Sequence, residues 1–193
     1  MKIYQMKITL VGFEPAIWRR IEIRSDSTFA DLHDAIQSVM EWEGSHLHTF
    51  RVKKPGKSKK MFDIKPEFPD SILEPVGDGY DDEEEEIGEW MLNQGDQAIY
   101  IYDLGDDWEH LIELEEVKEP QPLMAYPRCV KAVRVAPEED SRMVVMQQIE
   151  EEGQWTPDRE VPSEPLTRRL NDDLQQSLPL WRSKEEDNDP FKF

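Results

Sequence analysis

The sequence predicts an α+β fold: a mixed or antiparallel sheet with one helix packed on a face, followed by acidic C-terminal helices. Three observations lead there. Apolar and polar residues alternate in five segments, a helical repeat interrupts the second and third of them, and the last third turns to leucines four residues apart.

The elements follow in order. Tyr4, Met6, Ile8 and Leu10 face one way and Gln5, Lys7 and Thr9 the other, the pattern of a half-buried strand. Gly12-Phe13-Glu14-Pro15 reads as a turn, after which Ile17, Arg19, Ile21 and Ile23 share a face opposite Trp18, Arg20 and Glu22. Thr28 is placed to cap a helix over 28–42, with Asp31 in its first turn and Phe29, Leu32, Ile36, Val39 and Met40 as its buried stripe. His48, Phe50 and Val52 predict a third strand. Residues 54–96 read as largely irregular: a lysine-rich tip over 53–60, a Pro/Gly stretch over 65–80, and the acidic run Asp81–Glu86 as solvated loop. Ala98, Tyr100 and Tyr102, a Leu104-Gly105-Asp106-Asp107 turn, and Trp108, His110, Ile112 and Leu114 form the strongest hairpin signal. Met143, Val145, Met146 and Ile149 can line a helix after Pro137. Ser163 is placed to cap another, carrying Leu166, Leu170, Leu174 and Leu178, and the tail from Lys184 reads as frayed. The expected division is 1–150 as one domain and 151–193 as an acidic helical extension.

Composition narrows the function. The chain has 193 residues with 23 Lys/Arg against 43 Asp/Glu, a net charge of −20, which disfavours broad contact with nucleic-acid phosphate or an anionic membrane. The charge is uneven: residues 1–60 hold 11 basic against 7 acidic side chains, and the remainder carries the acid. No apolar run is long enough to span a bilayer, and the alternating N-terminus is no signal segment, so a cytoplasmic protein is expected. A single cysteine, Cys129, excludes an intrachain disulfide and a multi-cysteine zinc site; an inert buried thiol is expected.

Several stretches match one pattern together: Pro15–Ile21, Leu32–Gln37, Met40-Glu41-Trp42 with Ser45–Phe50, Tyr102–His110, and Tyr126-Pro127-Arg128-Cys129. Over residues 1–150 the chain resembles the Ri-plasmid ORF-three-like (pRiA-type) family, some of whose members carry the label of insertion-element passenger resolvase. The resemblance implies a mixed α+β domain and little about activity. A serine recombinase needs a nucleophilic serine among arginines and a basic DNA-binding domain, and this acidic chain has neither. Relatives continue past Arg128-Cys129 with a second cysteine and an acidic pair. Here Val135 takes the cysteine position, followed by Glu138-Glu139-Asp140.

All four histidines fall inside these stretches. The candidate binding residues are Trp18, Arg20, His33, His46, His48, Tyr102, Asp103, Asp106, Trp108, His110 and Arg128. A mixed His/Asp site for zinc or a harder divalent ion is chemically possible. The ligands are scattered, however, and no HExxH spacing is present, so no metal or cofactor is expected. Arg19, on an apolar face, should need a carboxylate, and a bidentate Arg–Asp pair between Arg19 or Arg20 and the 103–107 turn is the structural expectation. Without a recognisable catalytic set, the leading expectation is a non-enzymatic module that contacts a protein or peptide partner. The alternatives are a metal- or ligand-dependent hydrolytic site and a DNA-associated accessory factor. All of this assumes that the distant stretches fold into one shared polar-aromatic patch.

Overall fold

The computed structural model describes residues 1–56, 60–67 and 79–187, with side chains to 177. The middle of the lysine-rich tip, most of the Pro/Gly stretch, the side chain of Leu178 and the end of the tail lie outside what is described.

An eight-stranded mixed sheet carries the molecule. In chain order the elements are β1 (Ile3–Leu10), β2 (Ile17–Arg24), α1 (Phe29–Met40), β3 (His48–Lys53), β4 (Met61–Lys65), β5 (Gly79–Asp81), α2 (Ile87–Trp90), β6 (Gln97–Tyr102), β7 (Trp108–Lys118), β8 (Arg128–Val133), α3 (Arg142–Glu152) and α4 (Ser163–Asp187). The strand order is β5-β4-β3-β6-β7-β1-β2-β8. Neighbours pair antiparallel except β4 with β5. The two predicted hairpins therefore sit at the centre, and β1 pairs with β7 to join them.

Period-two alternation decides the faces. Met6, Ile8, Ile17, Ile21, Phe50, Tyr100, Ile112 and Leu114 lie on the inner face and are sealed from solvent with the α1 stripe Phe29, Leu32, Ile36, Val39 and Met40. Leu166, Leu170 and Leu174 of α4 join the same core. Thr28 and Asp31 form a reciprocal capping box at the start of α1. Thr28→Ala should cost about 1 kcal/mol in urea unfolding; an unchanged midpoint would mean the cap contributes nothing.

Several expectations need correction. Within the irregular stretch over 54–96 three short elements form, β4, β5 and α2, and Trp90 and Met91 are buried. The acidic run is not simply solvated. It folds over the N-terminus of α1, where Asp82 and Glu85 carbonyls accept the amides of Ala30 and Phe29. Free first-turn amides and the positive end of the helix dipole favour acid there. Gly88 permits this packing: a Cβ would meet the Ser25 carbonyl at 2.7 Å. Met143, expected inside, is exposed, and Val145 is the buried residue of α3. Ser163 is the first residue of α4 rather than the residue before it, and its hydroxyl donates to the Ala132 carbonyl. Thr167 and Asn171 accept from the amides of Ala132 and Cys129, so α4 satisfies the edge of β8 and closes one side of the sheet.

Arg19 is fully buried, as its position on the inner face demands, yet no carboxylate among the described residues pairs with it. Its guanidinium donates to the carbonyls of Val39, Trp18, Val133 and Arg134, joining the end of α1 to the end of β8. Burial lowers its pKa to about 10, which leaves it charged at neutral pH. The expected Arg–Asp pair is replaced by a bidentate Arg20–Glu115 pair on the outer face. Glu115 is two strands away, across β1, whereas the 103–107 turn lies beyond the sheet's end. Cys129 is buried, and burial pushes its thiol up to about 11.

Candidate histidine–carboxylate cleft

Helix α1 and strand β3 bring two histidines together. His33 projects from the second turn of α1 and His48 from the inner face of β3. Their rings stack 3.7 Å apart at 6°. His48 Nε2 hydrogen-bonds the Asp82 carboxylate at 2.7 Å, and Asp82 is only 2% exposed. His33 Nδ1 lies 2.7 Å from the Tyr100 hydroxyl, which also accepts the Gln37 amide at 2.8 Å. Burial raises the Tyr100 phenol well above its usual value, so it stays a donor.

Next along the sheet, three loops converge. The 43–46 loop, the 103 turn and the 139–140 segment meet over Tyr102. Tyr102 donates its hydroxyl proton to Glu139 and accepts the amide of His46 at 3.2 Å. Burial first, then the Glu139 bond, push the Tyr102 phenol up to about 12. Glu139 also accepts the amide of Glu43 at 2.7 Å. His46 leans on the Tyr102 ring, with Nδ1 3.9 Å from Asp103 and Nε2 2.9 Å from Asp140. Asp103 anchors its own turn by accepting the amides of Gly105 and Asp106 through Oδ1, which leaves Oδ2 toward His46.

The candidate residues separate into groups. His33, His46, His48, Tyr102 and Asp103 lie along one side of the inner face. Trp108 and His110 lie behind them with no exposure at all, packed around Trp42, so neither can belong to a contact surface. Tyr102 is equally sealed and His48 nearly so, which leaves His46 and Asp103 as the more open members of the cleft. Even register places these residues on the side that α1 and the loop after Trp42 cover, and Trp42 is tied down by its indole N–H donating to Pro137. Asp106 serves α3, accepting the amide of Arg142. Trp18 and Arg20 lie on the opposite face, and Arg128 stands at the β8 end beside Glu22, 3.6 Å away. One shared patch is thus replaced by a cleft, a core and an outer face.

Reading the sequence missed Asp82, hidden in a run of like charges, and Glu139 and Asp140. The acidic pair noted after Arg128-Cys129 was the available signal for the latter two.

The outer face has its own order. Ile99, Leu111, Thr9, Trp18 and Val133 are mutual register partners, forming one row across β6, β7, β1, β2 and β8. Beside it, Glu113, Lys7, Arg20 and Lys131 form a charged row. The cations of Lys7, Arg20 and Lys131 lie 5.1–5.5 Å from the Trp18 ring. Among the described residues, the buried side chains of α1, α3 and α4 belong to the inner core, and the apolar row is half-buried, with Leu111 36% exposed.

Comparison with known proteins agrees on the family. The family model of plasmid pRiA4b ORF-3-like proteins matches residues 2–152. The uncharacterized protein y4hQ of Sinorhizobium fredii (strain NBRC 101917 / NGR234) is 31% identical over 115 residues, covering 58% of this chain and 53% of that protein. The chain thus spans about half the length of this curated relative. A crystal structure of a protein of unknown function, MM3350 from Methanosarcina mazei Go1, aligns with a TM-score of 0.67 at 32% identity, over 78% of this chain and 82% of that one. No described helix is long and apolar enough to cross a membrane.

Proposed function

The chain belongs to the plasmid pRiA4b ORF-3-like family, and from that premise we propose that it is a non-enzymatic interaction module whose outer sheet face receives a protein partner. The observation that carries this reading is the apolar row through Trp18, which crosses five strands with no described helix over it. An apolar centre rimmed by charge is the anatomy of a protein interface, and Trp is favoured at its energetic centre. Glu115 neutralises Arg20, so the free attraction comes from Lys7 and Lys131. The fitting partner presents an aliphatic ridge between carboxylates. The overall charge of −20 argues against a nucleic-acid strand in that place.

A photo-crosslinking residue at Leu111, compared with one at exposed Met143 on α3, tests the reading. The outer-face probe should trap a distinct protein that the α3 probe does not. Trp18→Ala should then weaken its binding by about 2 kcal/mol, roughly thirtyfold. Identical products from both positions, or an affinity unmoved by Trp18→Ala in a folded variant, would reject it. Products joining only copies of this chain would assign the face to self-association instead.

A further inference from the structure

We propose that His46, Asp103 and Asp140 form a binding site for a divalent first-row metal ion of the Zn²⁺ or Mn²⁺ type. The site lies on the inner-face cleft, far in register from Trp18, and stands independently of the interaction reading.

The donors come from three separate chain segments. One donor atom from each side chain falls within 4.8 Å of the others. Bonds of about 2.0–2.2 Å to one ion place ligand atoms roughly 3–3.5 Å apart, so closure by at most about 2 Å suffices. Asp140 can supply that movement, because its side chain is 70% exposed. His46 Nε2 is the second indication. That atom is shielded from solvent and makes no hydrogen bond, although Asp140 Oδ1 is only 2.9 Å away, because the two are not aligned for one. A shielded ring nitrogen among carboxylates without a hydrogen bond is a polar atom that a cation would satisfy, through Nε2 beside Asp140 or, after a ring flip, from the Asp103 side.

The surroundings hold the donors in place. Glu139 stands 3.9 Å from His46 Nε2 and is fixed by Tyr102 and by the Glu43 amide. It can serve as a fourth ligand or as the carboxylate that orients them. Asp103 is fixed by its own turn, and the His46 amide by Tyr102. One imidazole among carboxylates selects a borderline ion over Cu⁺, which prefers sulfur, and over Ca²⁺, which prefers six or more oxygens.

Tag-free protein titrated calorimetrically with ZnCl₂ and with MnCl₂ provides the test. One ion per chain should bind. His46→Ala, Asp103→Asn and Asp140→Asn should each weaken it at least about tenfold, and Tyr102→Phe, which loosens Glu139, by about tenfold. Mn²⁺ should also broaden the NMR signals of His46 before those of exposed α3 residues. Asp140→Asn cannot unfold the chain through lost burial, so it decides the matter if His46→Ala is unstable. Weak binding at several sites, unmoved by these substitutions and matched by Glu150→Gln/Glu151→Gln on α3, would mean only that an acidic surface collects cations, and would overturn the site.

Discussion

Asp82→Ala is expected to remove about 3 kcal/mol of stability, the upper range for leaving a buried hydrogen-bonding group without its partner. Asp82 is 2% exposed and, among the described residues, its side chain hydrogen-bonds His48 Nε2 at 2.7 Å. Without the carboxylate, His48 keeps a polar nitrogen in an apolar niche, stacked on His33 and edged by Phe50. Asp82→Asn retains an acceptor oxygen and should cost only about 1–2 kcal/mol. Urea unfolding at pH 7 measures both. The decisive comparison is Asp82→Ala in a His48→Leu background, where the loss should shrink sharply. An undiminished loss there would show that the backbone of the 81–86 segment, and not the pair, carries the stabilisation.

His110 gives the second large effect, through pH. The ring is wholly buried among Trp42, Tyr100 and Trp108, its Nδ1 lies 3.0 Å from the Trp108 carbonyl, and burial pushes its pKa down to about 3. The unfolded chain protonates this group near 6.5 while the folded one does not, so the unfolded state takes up the extra proton. Stability is therefore complete above about pH 6.5 and falls as pH drops toward 3, by about 1.4 kcal/mol per unit. Between pH 7.5 and 4.5 the loss is about 3 kcal/mol. Carboxylates held low by arginine, Glu115 by Arg20 and Asp26 by Arg24, begin to lose their contribution only below their unfolded values, so they leave this window clear. His110→Phe should flatten the wild-type slope by close to one proton. Parallel pH profiles for the two proteins would show that the ring is charged inside the fold or reached by water.

How much of this was legible beforehand differs by element. The central hairpins, the register face of each strand and the α1 stripe follow from alternation and helical spacing, because burial of one face is decided by side-chain period alone. The Thr28–Asp31 box is local chemistry and was equally readable. β4, β5 and α2 were not, since they are short and lie among prolines, glycines and acidic residues whose local preference is loop. Their structure comes from pairing with β3 and from packing against the start of α1.

The candidate residues divide in the same way. Alternation alone put Trp18 and Arg20 opposite Ile17 and Ile21, and they are there. It could not say that Trp108 and His110 would be sealed, because a strand face is closed or open according to what packs over it, here Trp42 and the Pro137 segment. Nor could it pair Arg20 with Glu115 or leave Arg19 to carbonyls, since those partners arrive from strands 95 and 114 residues away.

By itself, then, the order of residues determined the family, the α+β class, the strand faces and the acidic balance, all of which rest on local period or summed charge. Tertiary structure alone decided which polar groups meet: Asp82 with His48, Glu139 with Tyr102, Asp140 with His46. Such contacts join segments distant in the chain, and no local preference of either partner encodes the distance between them once the sheet has formed.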